Sequence, residues 1–326
     1  MAPVAGCPKR MVFGPCGGVR SGGGCEMLAS PCVFSGTAPW PGVPAPPPAV
    51  QPPLVLTDLS VPPADAAALR RIARLLVPSC DAVLVGDHQD RPDFAPSLLA
   101  RLLIEVGASP WVTLACRDRN RVVLEQELRT LHHNGGATVL CVTGDGRAFD
   151  IRPEVTQVFD LDGTRLAALA ASIGLPVAVV ETVTAPPAAL RPDRLVAKQQ
   201  AGAGIAVLNH VESPADVATF LVAARRAGLA IPVIASVVVY TDPRSAAVLN
   251  ALPGLNLDPA VVEAVLSASD PVQAGIDRAI AQAASLLALD GVRGVNLSGM
   301  ASSRGPYFAA EIQAEIGLGI RERVGR

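Results

Sequence analysis

Between residues 54 and 297 the chain alternates eight short apolar runs with amphipathic stretches, and this alternation limits the fold more than any other feature. The runs occupy residues 54–59, 82–85, 111–115, 137–142, 177–180, 205–208, 233–239 and 294–297. Each is short and rich in β-branched residues, the pattern of a strand buried on both faces. Helical patterns lie between them, among them 65–76, 122–133, 164–173, 214–227 and 243–252. Asp, Ser or Thr precedes several of these, as an N-cap does, and Gly follows others. Eight strands alternating with helices predict a closed (β/α)8 TIM barrel, with a doubly wound sheet as the alternative. Such a barrel uses about 250 residues, which suits residues 54–326. Half of all residues are hydrophobic but only 3% are aromatic, so the core must be built from Ala, Val, Leu and Ile.

Two zones precede the barrel. Residues 1–34 hold four of the seven cysteines, Cys7, Cys16, Cys25 and Cys32, among many glycines. Residues 35–53 form a proline-dominated linker that cannot build a helix or a central strand, and Trp40 within it could pin it to the barrel. An odd cysteine count with no secretory signal does not describe a disulfide framework. Four thiolates among turn-forming glycines can instead close a tetrahedral metal site, with zinc the favoured occupant and an iron–sulfur cluster the alternative. Four free thiols in a tail is the plainer reading. Cys80, Cys116 and Cys141 sit in apolar surroundings and read as core. A net charge of -2 argues against nucleic acid as a partner. No apolar run follows residues 1–10, and the stretch 229–240 is too short to span a membrane, so the expectation is a cytoplasmic protein with no membrane partner. Homo-oligomerisation stays open.

In a barrel the chemistry sits at the C-terminal strand ends. That rule alone selects Asp58, Asp87, His88, the stretch from Arg117 through Asp118 and Arg119 to Asn120, Gly144, Asp145, Glu181, Asn209, His210, Tyr240, Asp242 and Ser298. Lys198 stands out separately, being one of two lysines in the chain, with Lys9 the other.

Several of these lie in longer matching segments. Leu114-Ala115-Cys116-Arg117-Asp118-Arg119-Asn120 resembles the L-T-C-R-D-R-N segment of methylenetetrahydrofolate reductases and their relatives. Val139-Leu140-Cys141-Val142-Thr143-Gly144-Asp145 is similar to their N-V-L-x-L-T-G-D segment, and Lys198-Gln199-Gln200-Ala201-Gly202-Ala203 to their K-x-D-A-G-A block. Order and spacing agree from about residue 54 to residue 298. The amino-terminal run Cys7-Pro8-Lys9, Gly14-Pro15-Cys16-Gly17-Gly18, Gly24-Cys25-Glu26 and Cys32 resembles the cysteine module known as the C-terminal domain of that family, here placed first.

The resemblance implies a flavoprotein of one-carbon folate metabolism. FAD would take a hydride from NAD(P)H, or electrons from a protein donor, and reduce a folate substrate, methylenetetrahydrofolate. It places Asp145 beside the flavin ring, with Thr143 and Gly144 shaping the approach, and makes Lys198 the diphosphate anchor. It brings Arg117, Asp118, Arg119 and Asn120 near the adenosine and ribityl parts, although those residues could equally pair with each other and cap a helix. Asp58 takes the place of the family's catalytic glutamate, shorter by roughly 1.5 Å of reach. Asn209 and Glu181 fall at substrate positions but depart from the family's T-Q and P-E-V-H patterns. Two other readings stay open: a pterin-binding methyl-transfer module, and a non-catalytic flavin- or folate-binding paralogue. No G-x-G-x-x-G or G-x-x-x-x-G-K-[ST] element occurs, so a separate nicotinamide-binding domain is not expected.

Overall fold

The computed structural model describes residues 5–35, 50–88, 91–146, 152–210, 213–250, 255, 257–299 and 301–325. All eight apolar runs form strands: β1 (Val55–Leu59), β2 (Ala82–Val85), β3 (Pro110–Ala115), β4 (Thr138–Val142), β5 (Val177–Glu181), β6 (Ile205–Leu208), β7 (Val233–Val238) and β8 (Val292–Ser298). They pair in parallel in chain order, and β8 closes on β1 with Val295 opposite Val55 and Leu297 opposite Thr57. Closure removes the doubly wound alternative and every sheet edge with it.

Among the described residues ten α-helices wrap the strands: α1 (Ala66–Leu76), α2 (Pro96–Ile104), α3 (Arg121–Asn134), α4 (Gly163–Ile173), α5 (Arg191–Gln200), α6 (Pro214–Arg226), α7 (Pro243–Asn250), α8 (Pro259–Leu266), α9 (Pro271–Leu287) and α10 (Pro306–Arg323). In α1 the buried residues Leu69, Ile72, Ala73 and Leu76 recur at helical spacing and face the barrel. Its start is fixed by Asp65, whose Oδ1 accepts from Ala68 N at 2.8 Å. Asp162 starts α4 in the same way, and Gly174, left-handed at φ 90, ends it.

The core has two layers, as strand periodicity requires. Outward residues pack under the helices, while Leu56, Leu84, Trp111, Leu140, Ala178, Ile205 and Ile234 fill the barrel interior. Side chains two apart share a face. The inward face of each strand therefore continues past this apolar plug into the pocket at the C-terminal end. It reaches Asp58 from Leu56, Thr113 from Trp111, Val180 from Ala178, and Ser236 from Ile234.

Residues 5–35 form an irregular segment with one antiparallel bridge, Gly24 to Pro31, and it buries Met11, Phe13, Val19 and Phe34. It lies against the barrel at the ends of β4 and β5. Trp40 and most of the proline-rich linker lie outside the described residues. Among the described residues no helix is long and apolar enough to cross a membrane.

Candidate functional site

A pocket of about 530 Å³ opens at the C-terminal ends of the strands. Its floor and walls come from the inward positions of all eight strands and the loops that follow them. Asp58, Arg117, Thr143, Gly144, Asp145, Glu181, Lys198 and Asn209 all line it, as do Lys9, Cys16 and Gly17 from the amino-terminal segment.

Asp58 is the carboxyl group at the bottom. It shares the inward face of β1 with Leu56, and β8 presents two donors to it across the closing seam. Ser298 Oγ donates to Asp58 Oδ2 in a short contact, and Asn296 Nδ2 donates to Oδ1 at 3.1 Å. Gln313 of α10 braces the backbone by donating to Asp58 O at 3.1 Å. Burial pushes the carboxyl up to about 6, against the opposing pull of Ser298, Asn296 and the Gly299 backbone. Asn296 does not follow from the strand-end rule, although it lies two residues before Ser298 on the same inward face.

Glu181 and Lys198 meet in a buried charge cluster. Val177 and Val179 of β5 face the helices, so Glu181, two residues on, emerges beneath α5. That helix supplies three cations. Lys198 Nζ donates to Glu181 Oε2 at 2.7 Å and also contacts Val180 O. Arg191 Nη1 donates to Oε1 at 3.3 Å, and Arg194 Nε lies 3.6 Å from Oε2. Burial pushes Lys198 down to about 8, partly offset by Glu181. For Glu181 burial acts upward, but the charges of Lys198, Arg191 and Arg194 outweigh it and hold the carboxyl below its usual range. Glu181 is thus the counter-ion of the cluster. Both of its oxygens are engaged by α5. One carboxylate faces three cations, and Arg194 Nε and Nη1 are buried with no hydrogen-bond partner.

The segment after β3 divides. Arg117, 2% exposed, lines the pocket; its Nε donates to Asp118 Oδ2 at 2.8 Å and its Nη2 to His88 O at 2.9 Å. Arg119 turns to Asp87 at 2.6 Å, and Asn120 caps α3 by accepting from Val123 N at 3.0 Å. Asp118, Arg119 and Asn120 thus take the pairing and capping roles that their sequence also allowed: Asp118 pairs with Arg117, Arg119 with Asp87, and Asn120 caps α3. After β4, Thr143 Oγ1 accepts from Gly163 N at 2.9 Å. Gly144 has φ +86, and a Cβ there would press on Ala115 and Arg117 at 3.2 and 3.1 Å. The glycine thus serves the turn and the packing against β3.

On the far side, Asn209 Nδ2 donates to Thr182 Oγ1 at 3.2 Å. His210 is pushed down to about 4 by burial, so it is neutral at neutral pH, and its Nε2 is buried without a hydrogen-bond partner.

Cys7, Cys16, Cys25 and Cys32 are free thiols lining one small space of about 20 Å³. Burial pushes the thiols of Cys7 and Cys32 up, and the nearby Cys16 and Cys25 add to that. Among the described residues, no group of three or more His, Cys, Asp or Glu side chains is arranged to hold a metal ion. Gly18 makes room for Glu26, since a Cβ there would overlap its carboxylate.

No family model matches the chain, and no curated protein matches it. Among solved structures it is similar to an uncharacterized protein from Clostridium thermocellum that binds two copies of 5-methyl-5,6,7,8-tetrahydrofolic acid. The TM-score is 0.57 at 11% identity, over 83% of this chain and 94% of that one. At that identity the likeness shows a shared barrel fold. A soluble mutant of (S)-mandelate dehydrogenase from Pseudomonas putida aligns more loosely, with a TM-score of 0.47 at 12% identity, over 83% of this chain and 75% of that one.

Proposed function

We propose that this chain binds a reduced folate in the mouth of its barrel and reduces the folate's one-carbon unit with FAD held in the same pocket. The observation that carries the reading is Asp58, a carboxyl at the pocket floor that burial lifts to about 6 and that Ser298 and Asn296 hold in place. A carboxyl so raised can give a proton near neutrality. The folate bound by the Clostridium thermocellum protein on the same fold agrees with a pterin-sized ligand here.

The residues present fit the flavin's diphosphate. The cationic excess around Glu181, three cations against one carboxylate, suits an anion at the α5 edge of the pocket. Arg194 and Lys198 would hold it, and Arg117 would stand at the β3 side. When bound, the flavin supplies hydride transfer, with NAD(P)H or a protein donor as its source of electrons. Asp58 holds the proton for the folate nitrogen, Asp145 faces the pocket from the β4 loop, and Asn209 and His210 offer polar contacts to the pterin.

Arg194→Gln is expected to weaken FAD retention about tenfold or more, the scale of one charge-assisted contact. Arg194 is the cleaner probe than Lys198 because its Nε lies 3.6 Å from Glu181 Oε2, whereas Lys198 Nζ donates to the same oxygen at 2.7 Å. Titrating FAD into both proteins decides it, and equal dissociation constants would remove the α5 edge from the site. The visible spectrum of the purified protein tests the wider reading. A yellow protein bleached by NAD(P)H supports it. A colourless protein that binds 5-methyltetrahydrofolate supports a folate-binding barrel without redox work, a reading favoured by the prior engagement of Lys198 with Glu181 and of Arg117 with Asp118.

The proposal extends to zinc held by Cys7, Cys16, Cys25 and Cys32. Their four thiols line one small space, although among the described residues they are not gathered closely enough to hold an ion, so zinc would have to draw them together on binding. Its role there would be structural, since thiolate-bound metal contributes folding energy. Elemental analysis of the full chain is expected to find about one zinc per chain and to lose it in Cys25→Ser. Equal metal in both would place it elsewhere.

A further inference from the structure

We propose that residues 5–35 are a built-in roof of the barrel's pocket, and that Lys9 and Glu26 are positioning residues that clamp the loop 143–146 from above. Lys9 is 2% exposed, which a lysine tolerates only when its ammonium is fully engaged. Its Nζ donates to Gly144 O at 2.9 Å and pairs with Glu26, and it lies 5.7 Å from the centre of the Phe159 ring. Glu26 Oε1 in turn accepts from Gly146 N at 3.1 Å. The loop that carries Asp145 is thus gripped on both sides of that residue by one ion pair from a segment more than a hundred positions earlier in the chain.

The rest of the seam is equally specific. Val12 N donates to Asp162 Oδ2 at 3.3 Å, Arg10 pairs with Asp160 at 3.0 Å, and Arg191 Nη1 donates to Cys16 O at 3.0 Å. A Cβ on Gly146 would overlap Met27, so segment and loop meet without a gap. Arg191 belongs to the Glu181 cluster, which ties the roof to the α5 edge as well as to β4. Lys9 and Cys16 line the pocket and the space among the four cysteines alike. Both lysines of the chain therefore face one pocket, one from its roof and one from its wall.

The consequence is a reciprocal coupling. Loosening the roof frees the loop 143–146, so a ligand must then order it on binding, and a bound ligand must hold the roof down by the same factor. The inference takes the pocket as the ligand site proposed above but not the flavin chemistry. Two measurements on the full chain test it. Lys9→Met is expected to speed amide hydrogen exchange at residues 144–146 and to weaken 5-methyltetrahydrofolate binding about tenfold. Glu26→Gln, which keeps the size and an acceptor for Gly146, is expected to do the same more mildly and serves if Lys9→Met does not fold. Arg70→Ala, at an exposed pair with Glu105 on the barrel's outer side, is expected to change neither. Unchanged exchange at 144–146 in the folded Lys9 or Glu26 variant overturns the clamp. If the wild-type chain does not bind the folate, the folate reading fails while the exchange result still decides the roof.

Discussion

Glu181→Ala is expected to destabilise the barrel by about 3–5 kcal/mol, the cost of removing one partner from a buried charge cluster. Its side chain is 1% exposed, with Arg191 at 0% and Lys198 at 9% against it. The cluster borders the pocket but its side chains are almost wholly buried, so three cations on one face of α5 would be left to repel each other with little solvent between them. Lys198, already pushed down to about 8, would shed its proton first. The sign of the pH dependence follows from the direction of the Glu181 shift. Its folded-state pKa lies below the unfolded value, so the stability it confers is complete above about 4.3 and is lost as pH falls through the folded value. Urea denaturation between pH 7 and pH 3 is the measurement. The wild type should lose stability in acid that Glu181→Ala lacks at every pH, and Lys198→Met should cost less in the Glu181→Ala background than alone. A loss under about 1 kcal/mol at pH 7 would mean the cluster is solvated and the account of α5 is wrong.

That cluster also marks where the sequence stops being legible. The eight strands can be read because a barrel strand is buried on both faces and shows as a short continuous apolar run. Helix α5 cannot be read in the same way. Its Arg191, Asp193, Arg194 and Lys198 make it strongly polar, and its tertiary partners, Glu181 and the carbonyls of Cys16, Val180 and Ala185, explain why a helix so charged is buried. The strand-end rule reaches Asp58, Asp145, Asn209 and Ser298, all of which line the pocket. It misses Arg191 and Arg194, which come from a helix, and Asn296, which period-two counting back from Ser298 would have found. In the run from Arg117 to Asn120 the resemblance marks four residues as one unit, yet local chemistry divides them. An Asn before a helix caps it, and a carboxylate beside a buried arginine pairs with it. The roof is the least legible part. An irregular segment has no periodicity, and its contact from Lys9 to Gly144 spans 135 positions. Its traces in the sequence are the rarity of lysine and the cysteine-rich pattern of residues 1–34, neither of which says what the segment packs against.

Asp58→Asn is expected to lower folate reduction by about 10²–10⁴-fold, the usual cost of losing a positioned general acid. Reduction of the flavin by its donor should be spared, because hydride uptake from the donor does not use the group at the end of β1. The raised carboxyl gives the prediction its second edge. A group near 6 is about one-tenth protonated at pH 7, and a ligand that fills the pocket removes the remaining water and raises it further. The rate constant kcat/KM for folate should therefore fall about tenfold per pH unit above roughly 6 in the wild type and lose that limb in Asp58→Asn. Ser298→Ala removes a hydrogen bond that favours the ionised form. It should move the limb to higher pH without abolishing turnover, an effect that a purely structural serine would not produce. Asp58→Glu keeps an acid in the pocket and is expected to retain turnover. Stopped-flow measurement of the two half-reactions across pH 5–9 separates these outcomes. Folate reduction as fast in Asp58→Asn as in the wild type would assign the proton to another group. A wild type that takes up flavin but reduces no folate at any pH would leave a barrel that binds its ligands without the acid step, and Asp58 would then be a buried anchor for β8.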